Sequence, residues 1–166
     1  EWQRTAGSGN SSEVILGWSD TRDSMRDVYV QKIDTEGNRL WGEKGIAVTT
    51  AYGRQEDPLL VGDDNGGAFV IWIDYRDEPD TKGDVYAQHV LSDGSLVWSL
   101  EGYPIVVKDG AQRNPNMCKD GNGGAYIIWK DFTVGQYEHV YATHISSENE
   151  VINPGEGVPI MTNDSH

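Results

Sequence analysis

Apolar residues along this chain fall in short bursts broken by Gly, Asn, Asp and Pro, and no stretch keeps the spacing of an amphipathic helix. The strongest burst, Gly66-Gly67-Ala68-Phe69-Val70-Ile71-Trp72-Ile73-Asp74, returns as Gly123-Gly124-Ala125-Tyr126-Ile127-Ile128-Trp129-Lys130-Asp131. A looser copy runs from Ser11 to Asp20. Aligned on Trp18, Trp72 and Trp129, the chain divides into units 1–54, 55–111 and 112–166, of 54, 57 and 55 residues. Each unit predicts four strands. A polar lead-in such as Gln55-Glu56-Asp57-Pro58 opens the first, and an Asp/Asn/Gly turn leads into the Trp-ending second. The third strand is Asp27–Ile33, Asp84–Val90 or His139–Ile145. Beyond a turn holding Gly37, Gly94 or Asn149, the fourth is 46–48, 103–107 or 158–161.

Four short antiparallel strands in each unit of about 55 residues, without helix, predict an all-β fold of β-propeller blades. Sandwich domains need about 100 residues per unit, and solenoid repeats are much shorter. Propellers close with about four to eight blades. Three units therefore predict either a fragment of a longer propeller or one half of a six-bladed ring completed by a second copy.

The runs Gln-x-x-Pro, Gly-Gly-Ala-Tyr/Phe-x-Ile-Trp-x-Asp and Asp-Val-Tyr-Ala-Gln resemble repeats of secreted bacterial β-propeller proteins of the cell surface. The turns Asp34–Trp41 and Ser92–Trp98 resemble the Asp-box hairpins of sialidase-like propellers. Their spacing departs from that pattern, and unit three lacks both the glycine and the tryptophan, so these turns read as folding devices. The resemblance implies a propeller fold and an extracellular or cell-surface location, and it implies little about activity.

Charge narrows the partners. Asp and Glu number 27 against 13 Lys and Arg, a net charge of -14, which excludes nucleic acid and acidic membrane surfaces as partners. No run is long enough to insert in a membrane, and no signal peptide is visible, although an exported protein would already have lost one. Cys118, the single cysteine, rules out an internal disulfide and reads as a small buried hydrophobe.

Strand direction reverses at each turn, so the loops between second and third strands share one face with the connections between units. These loops differ in length while the hairpins stay constant, as expected of a binding face on a rigid frame. The candidate ligand-binding residues there are Arg22, Arg26, Tyr52, Arg54, Tyr75, Arg76, Asp77, Glu78, Arg113, Phe132 and Tyr137, the aromatic ones suited to stacking on sugar rings. Unit two holds 12 acidic residues against 3 basic, and Asp77, Glu78 and Asp80 form a weak Ca²⁺ candidate without the spacing of a known calcium loop. The Trp-x-Asp-x-Arg runs at Trp18 and Trp72 read as structural, with the aspartate holding the loop or the arginine. His89, His139 and His144 read as strand residues rather than metal ligands, and the tryptophans as core.

No nucleophile elbow, zinc-protease helix, phosphate loop or paired cysteine ligands occur. No catalytic residue, metal ligand or cofactor is assigned. The leading expectation is a non-catalytic extracellular binding or scaffold module for glycan or protein. One alternative is part of a sialidase- or glycosidase-like hydrolase, for which the arginines look scattered. The other is an architectural subunit of a surface assembly.

Overall fold

Strands form where the apolar bursts predict them. The computed structural model describes residues 4–8, 12–22, 25–78, 82–132 and 138–162. The first unit contains β1 (Arg4–Ser8), β2 (Glu13–Asp20), β3 (Asp27–Asp34) and β4 (Ile46–Thr49). The second contains β5 (Gln55–Gly62), β6 (Ala68–Asp74), β7 (Asp84–Val90) and β8 (Tyr103–Val106), and the third β9 (Gln112–Lys119), β10 (Ala125–Asp131), β11 (His139–Ile145) and β12 (Val158–Met161). Each unit folds into its own four-stranded antiparallel sheet with strands in chain order.

The register repeats with the sequence. Trp18 pairs with Tyr29, Trp72 with Tyr86 and Trp129 with Tyr141 across adjacent strands, and the rings stack with centroids 6.2, 6.2 and 6.0 Å apart. A bulge before the proline of β5 and β9 sets Asp57 and Asn114 at φ 56° and 51°, in the left-handed region that Asp and Asn tolerate. Gly45, Gly102 and Gly157 occupy one repeat position at φ 75°, 77° and 68°. A Cβ on Gly102 would lie 2.6 Å from Trp72 Cη2, so the backbone can pass over the indole only as glycine. The third strand also latches the turn that follows it. Gln31 Oε1 accepts from the Trp41 N–H at 2.9 Å and Gln88 Oε1 from the Trp98 N–H at 3.0 Å. Thr143 Oγ1 instead donates to the Ile152 carbonyl in the unit without that tryptophan.

Two cores hold the three sheets together. The first joins Ile15, Val28, Val30, Trp41 and Val48 to Leu60, Ala68, Val70, Trp72 and Tyr86. The second joins Phe69, Ile71, Ile73, Val85, Ile105 and Val106 to Ala125, Ile127, Trp129 and Ile145. The middle sheet is thus covered on both faces, and every residue of β6 and β7 is buried. In β10 burial alternates, with Ala125, Ile127 and Trp129 inside and Tyr126 and Ile128 outside.

The all-β expectation stands, but the propeller expectation does not. The three sheets remain separate and open, none closes on itself, and they do not form a clear arrangement of propeller blades. Neither a propeller fragment nor half of a six-bladed ring describes this architecture. The repeat specifies the strands of each sheet, but a closed ring also needs the first and last sheets to meet, and the cores here join only the first sheet to the second and the second to the third. Cys118 is a second correction. It is exposed rather than buried, because it sits in the last sheet, whereas its repeat equivalent Val61 packs on the second core. No helix among the described residues is long and apolar enough to cross a membrane.

Candidate functional site

The predicted ligand residues that come together lie on the edge where the connections between units meet the loops after β6 and β10. Main-chain hydrogen bonds stitch this edge in a repeating pattern. The Gln55 N–H donates to the Arg26 carbonyl at 2.6 Å and the Gln112 N–H to Gly83 at 2.9 Å, while Tyr75 donates to Arg54 and Phe132 to Ala111, both at 3.0 Å. Gln55, fully buried, donates its side-chain amide to the Ala51 and Tyr52 carbonyls at 3.2 Å and so fixes the connection that carries Tyr52. Gly53 packs so closely that an added Cβ would meet the Arg76 Cα at 2.9 Å.

On this scaffold the Arg54 guanidinium lies 3.9 Å from the centroid of the Tyr75 ring. Its two terminal nitrogens reach Glu56 at 3.3 Å and Glu78 at 3.4 Å. Arg26 approaches the same Glu56 oxygen at 2.6 Å. Burial pushes the Tyr75 hydroxyl above its ordinary pKa and Glu56 adds to the rise, while Arg54 and Arg113 pull against it. Burial, followed by Glu56, likewise raises Asp57, with Arg26 opposing. Arg26, Arg54 and Arg113 therefore share one electrostatic neighbourhood with Tyr75, Glu56 and Asp57, although their sequence positions are far apart. Tyr52, 78% exposed, precedes Arg54 by two residues on the same connection.

The other predicted residues divide differently. Arg22 and Arg76 are committed to structure, as the Trp-x-Asp-x-Arg reading expected. Trp18 Nε1 donates to Asp20 at 3.1 Å and Trp72 Nε1 to Asp74 at 2.9 Å, and each aspartate is also gripped by its arginine through backbone and side chain. The guanidinium then lies flat over Tyr29 at 3.9 Å or Tyr86 at 4.0 Å. The Arg22 side-chain bond holds the Asp20 carboxyl below its ordinary value against the opposing effect of burial. Asp77 is exposed and acts electrostatically on Tyr86, and Phe132 is half-buried. Tyr137 and Asp80 lie outside the described residues. Among the described residues no group of three or more His, Cys, Asp or Glu side chains is gathered as a metal ion requires, and of the calcium candidate only Asp77 and Glu78 belong to them.

Sequence reasoning missed Glu56 and Asp57, which it treated as a strand lead-in. The available signal was their place in Gln-Glu-Asp-Pro, one residue past the arginine-bearing connection. At the opposite end of the sheets, His89 links two units. Its Nε2 donates to Asp63 Oδ2 at 2.9 Å and its Nδ1 lies 2.6 Å from the Asn149 amide oxygen. The ring stacks on Phe69 at 4.1 Å, so this histidine is a buried structural tie.

No known family model matches this chain, and no curated protein is significantly similar to it.

Proposed function

We propose that this chain is a non-catalytic binding module, acting outside the cell or at its surface, and that its loop edge recognises a glycan. The observation that carries this reading is the cluster at the junction of the first two units. An exposed tyrosine, Tyr52, shares its connection with Arg54, whose guanidinium lies over Tyr75 and is bonded to Glu56 and Glu78. A flat aromatic surface next to alternating guanidinium and carboxylate groups suits a sugar, which offers an apolar ring face and a rim of hydroxyls. The extracellular location rests on the resemblance of the repeated Gly-Gly-Ala-aromatic run to secreted surface proteins.

Glycan-array screening followed by calorimetry tests the proposal. Tyr52→Ala and Arg54→Ala are expected to weaken binding about tenfold each, the ~1.4 kcal/mol scale of one stacking or charged contact. A blank array at high protein concentration overturns it.

One observation favours a second reading, a hydrolase. Three arginines share the neighbourhood of a tyrosine with an acidic neighbour, an arrangement that could hold and attack an acidic sugar. Against it, burial and Glu56 raise the Tyr75 pKa, the wrong direction for a nucleophile. Turnover of fluorogenic glycosides that disappears in Tyr75→Phe would establish the hydrolase instead.

A further inference from the structure

The second core shows how one sheet of this chain docks on the next. Phe69 and Ile71 point from the middle sheet to the third, are 0% exposed, and pack with Ala125, Ile127 and Trp129. Their repeat equivalents in the third sheet, Tyr126 and Ile128, are 51% and 41% exposed. Ile105 is 1% exposed, whereas Ile160 at the same position of β12 is 60% exposed. The same side-chain types are therefore buried in one sheet and open to solvent in the next, around an apolar depression that also includes Cys118.

The polar part of the contact repeats too. His144 sits on Tyr126 at 4.6 Å and bonds Asp120 at 2.8 Å, as His89 sits on Phe69 and bonds Asp63. His89 also meets the Asn149 turn of the adjoining sheet. Among the described residues no such turn meets His144.

The first sheet carries the matching half. On the side of β2 away from the middle sheet, Val14, Leu16 and Trp18 occupy the positions that Ala68, Val70 and Trp72 use to fill the first core. Its turn is open as well. A Cβ on Gly37 would meet nothing within 4 Å, whereas one on Gly94 would press on the Trp41 ring of the neighbouring sheet.

We infer that the outer face of the third sheet docks the outer face of the first sheet of a second copy of this chain, head to tail. A second copy fits because the exposed Tyr126, Ile128 and Ile160 and the half-buried Val14, Leu16 and Trp18 are the residue sets that the internal interfaces already join. Lys130 and Asn116 stand where the middle sheet has Ile73 and Leu59, so the contact is more polar than the internal one and depends on concentration. The contact is heterologous, with different faces meeting, so each copy offers two contacts and association continues until a ring closes or one face is blocked.

Sedimentation equilibrium of the whole chain tests this with two variants, Ile128→Arg on one face and Leu16→Arg on the other. Far-UV circular dichroism and thermal midpoints confirm folding, with Tyr126→Glu in reserve for the first face and Val14→Glu for the second. Wild-type mass is expected to rise with concentration while each variant stays monomeric. An equimolar mixture of the two variants should form a dimer and go no further, because each supplies the face the other lacks. A wild type that stays monomeric up to about 1 mM overturns the inference. So does association blocked by Ile128→Arg but not by Leu16→Arg, which would indicate a like-with-like contact, or a mixture that remains monomeric.

Discussion

Asp63 shows how much one carboxylate holds in this chain. Its Oδ1 accepts from the Asn65 and Gly67 N–H groups, both at 2.8 Å, closing the turn between β5 and β6, and its Oδ2 accepts from His89. Burial works to raise its pKa, but the His89 and backbone hydrogen bonds prevail and the carboxyl sits below its ordinary 3.8. Asp120 is lowered in the same way by Asn122, His144 and Gly124. A carboxyl held below its unfolded value adds stability that is fully present above about pH 4 and is lost as pH falls through the folded value. The chain is therefore expected to lose stability on acidification below about pH 4, measured as a falling urea midpoint. Asp63→Asn should cost about 1 kcal/mol at neutral pH and show a shallower acid loss. An unchanged acid profile would remove Asp63 from this account.

At the scale of the element, the strands and hairpins were legible in the sequence. The third strands lie within a residue of their predicted bounds because the tyrosine of each falls against its unit's tryptophan and, in the first two units, the glutamine falls against the next turn. A glycine precedes each last strand in the sequence, at 45, 102 and 157, but the sequence offers no reason for it. Only the structure shows the indole beneath it. Gly102→Ala is expected to destabilise the chain by about 1–3 kcal/mol, from the strained φ and the contact with Trp72 together, as read from the urea midpoint. Gly37→Ala shares the positive φ without the contact, so the difference between the two isolates the packing cost. The Arg54–Tyr75–Glu56 cluster was only half legible. Its arginines and tyrosines stood out as loop residues, but Glu56 looked like strand and the convergence of Arg26, Arg54 and Arg113 depends on how the units pack.

At the scale of the whole molecule, stability is graded by layer. The middle sheet has cores on both sides, while β12 is exposed along its length. Hydrogen exchange is expected to be slowest at the amides of β6 and β7, near the global unfolding free energy, and fastest at β12. Equal protection in the middle and third sheets at low protein concentration would contradict this gradient. Equal protection appearing only at high concentration is what head-to-tail association predicts.

The sequence by itself determined the three units, their strands and turns, and the Trp-Asp-Arg grips, because each depends on residues a few positions apart that meet on one strand or across one hairpin. The tertiary structure alone decided that the sheets form an open stack rather than a propeller, that Cys118 and Ile128 face outward while Val61 and Ile71 pack inward, and that three distant arginines converge on Tyr75. The reason is physical: a repeated strand presents the same side chains in every unit, but their burial depends on whether another sheet lies against them, and that neighbour is not encoded in the strand.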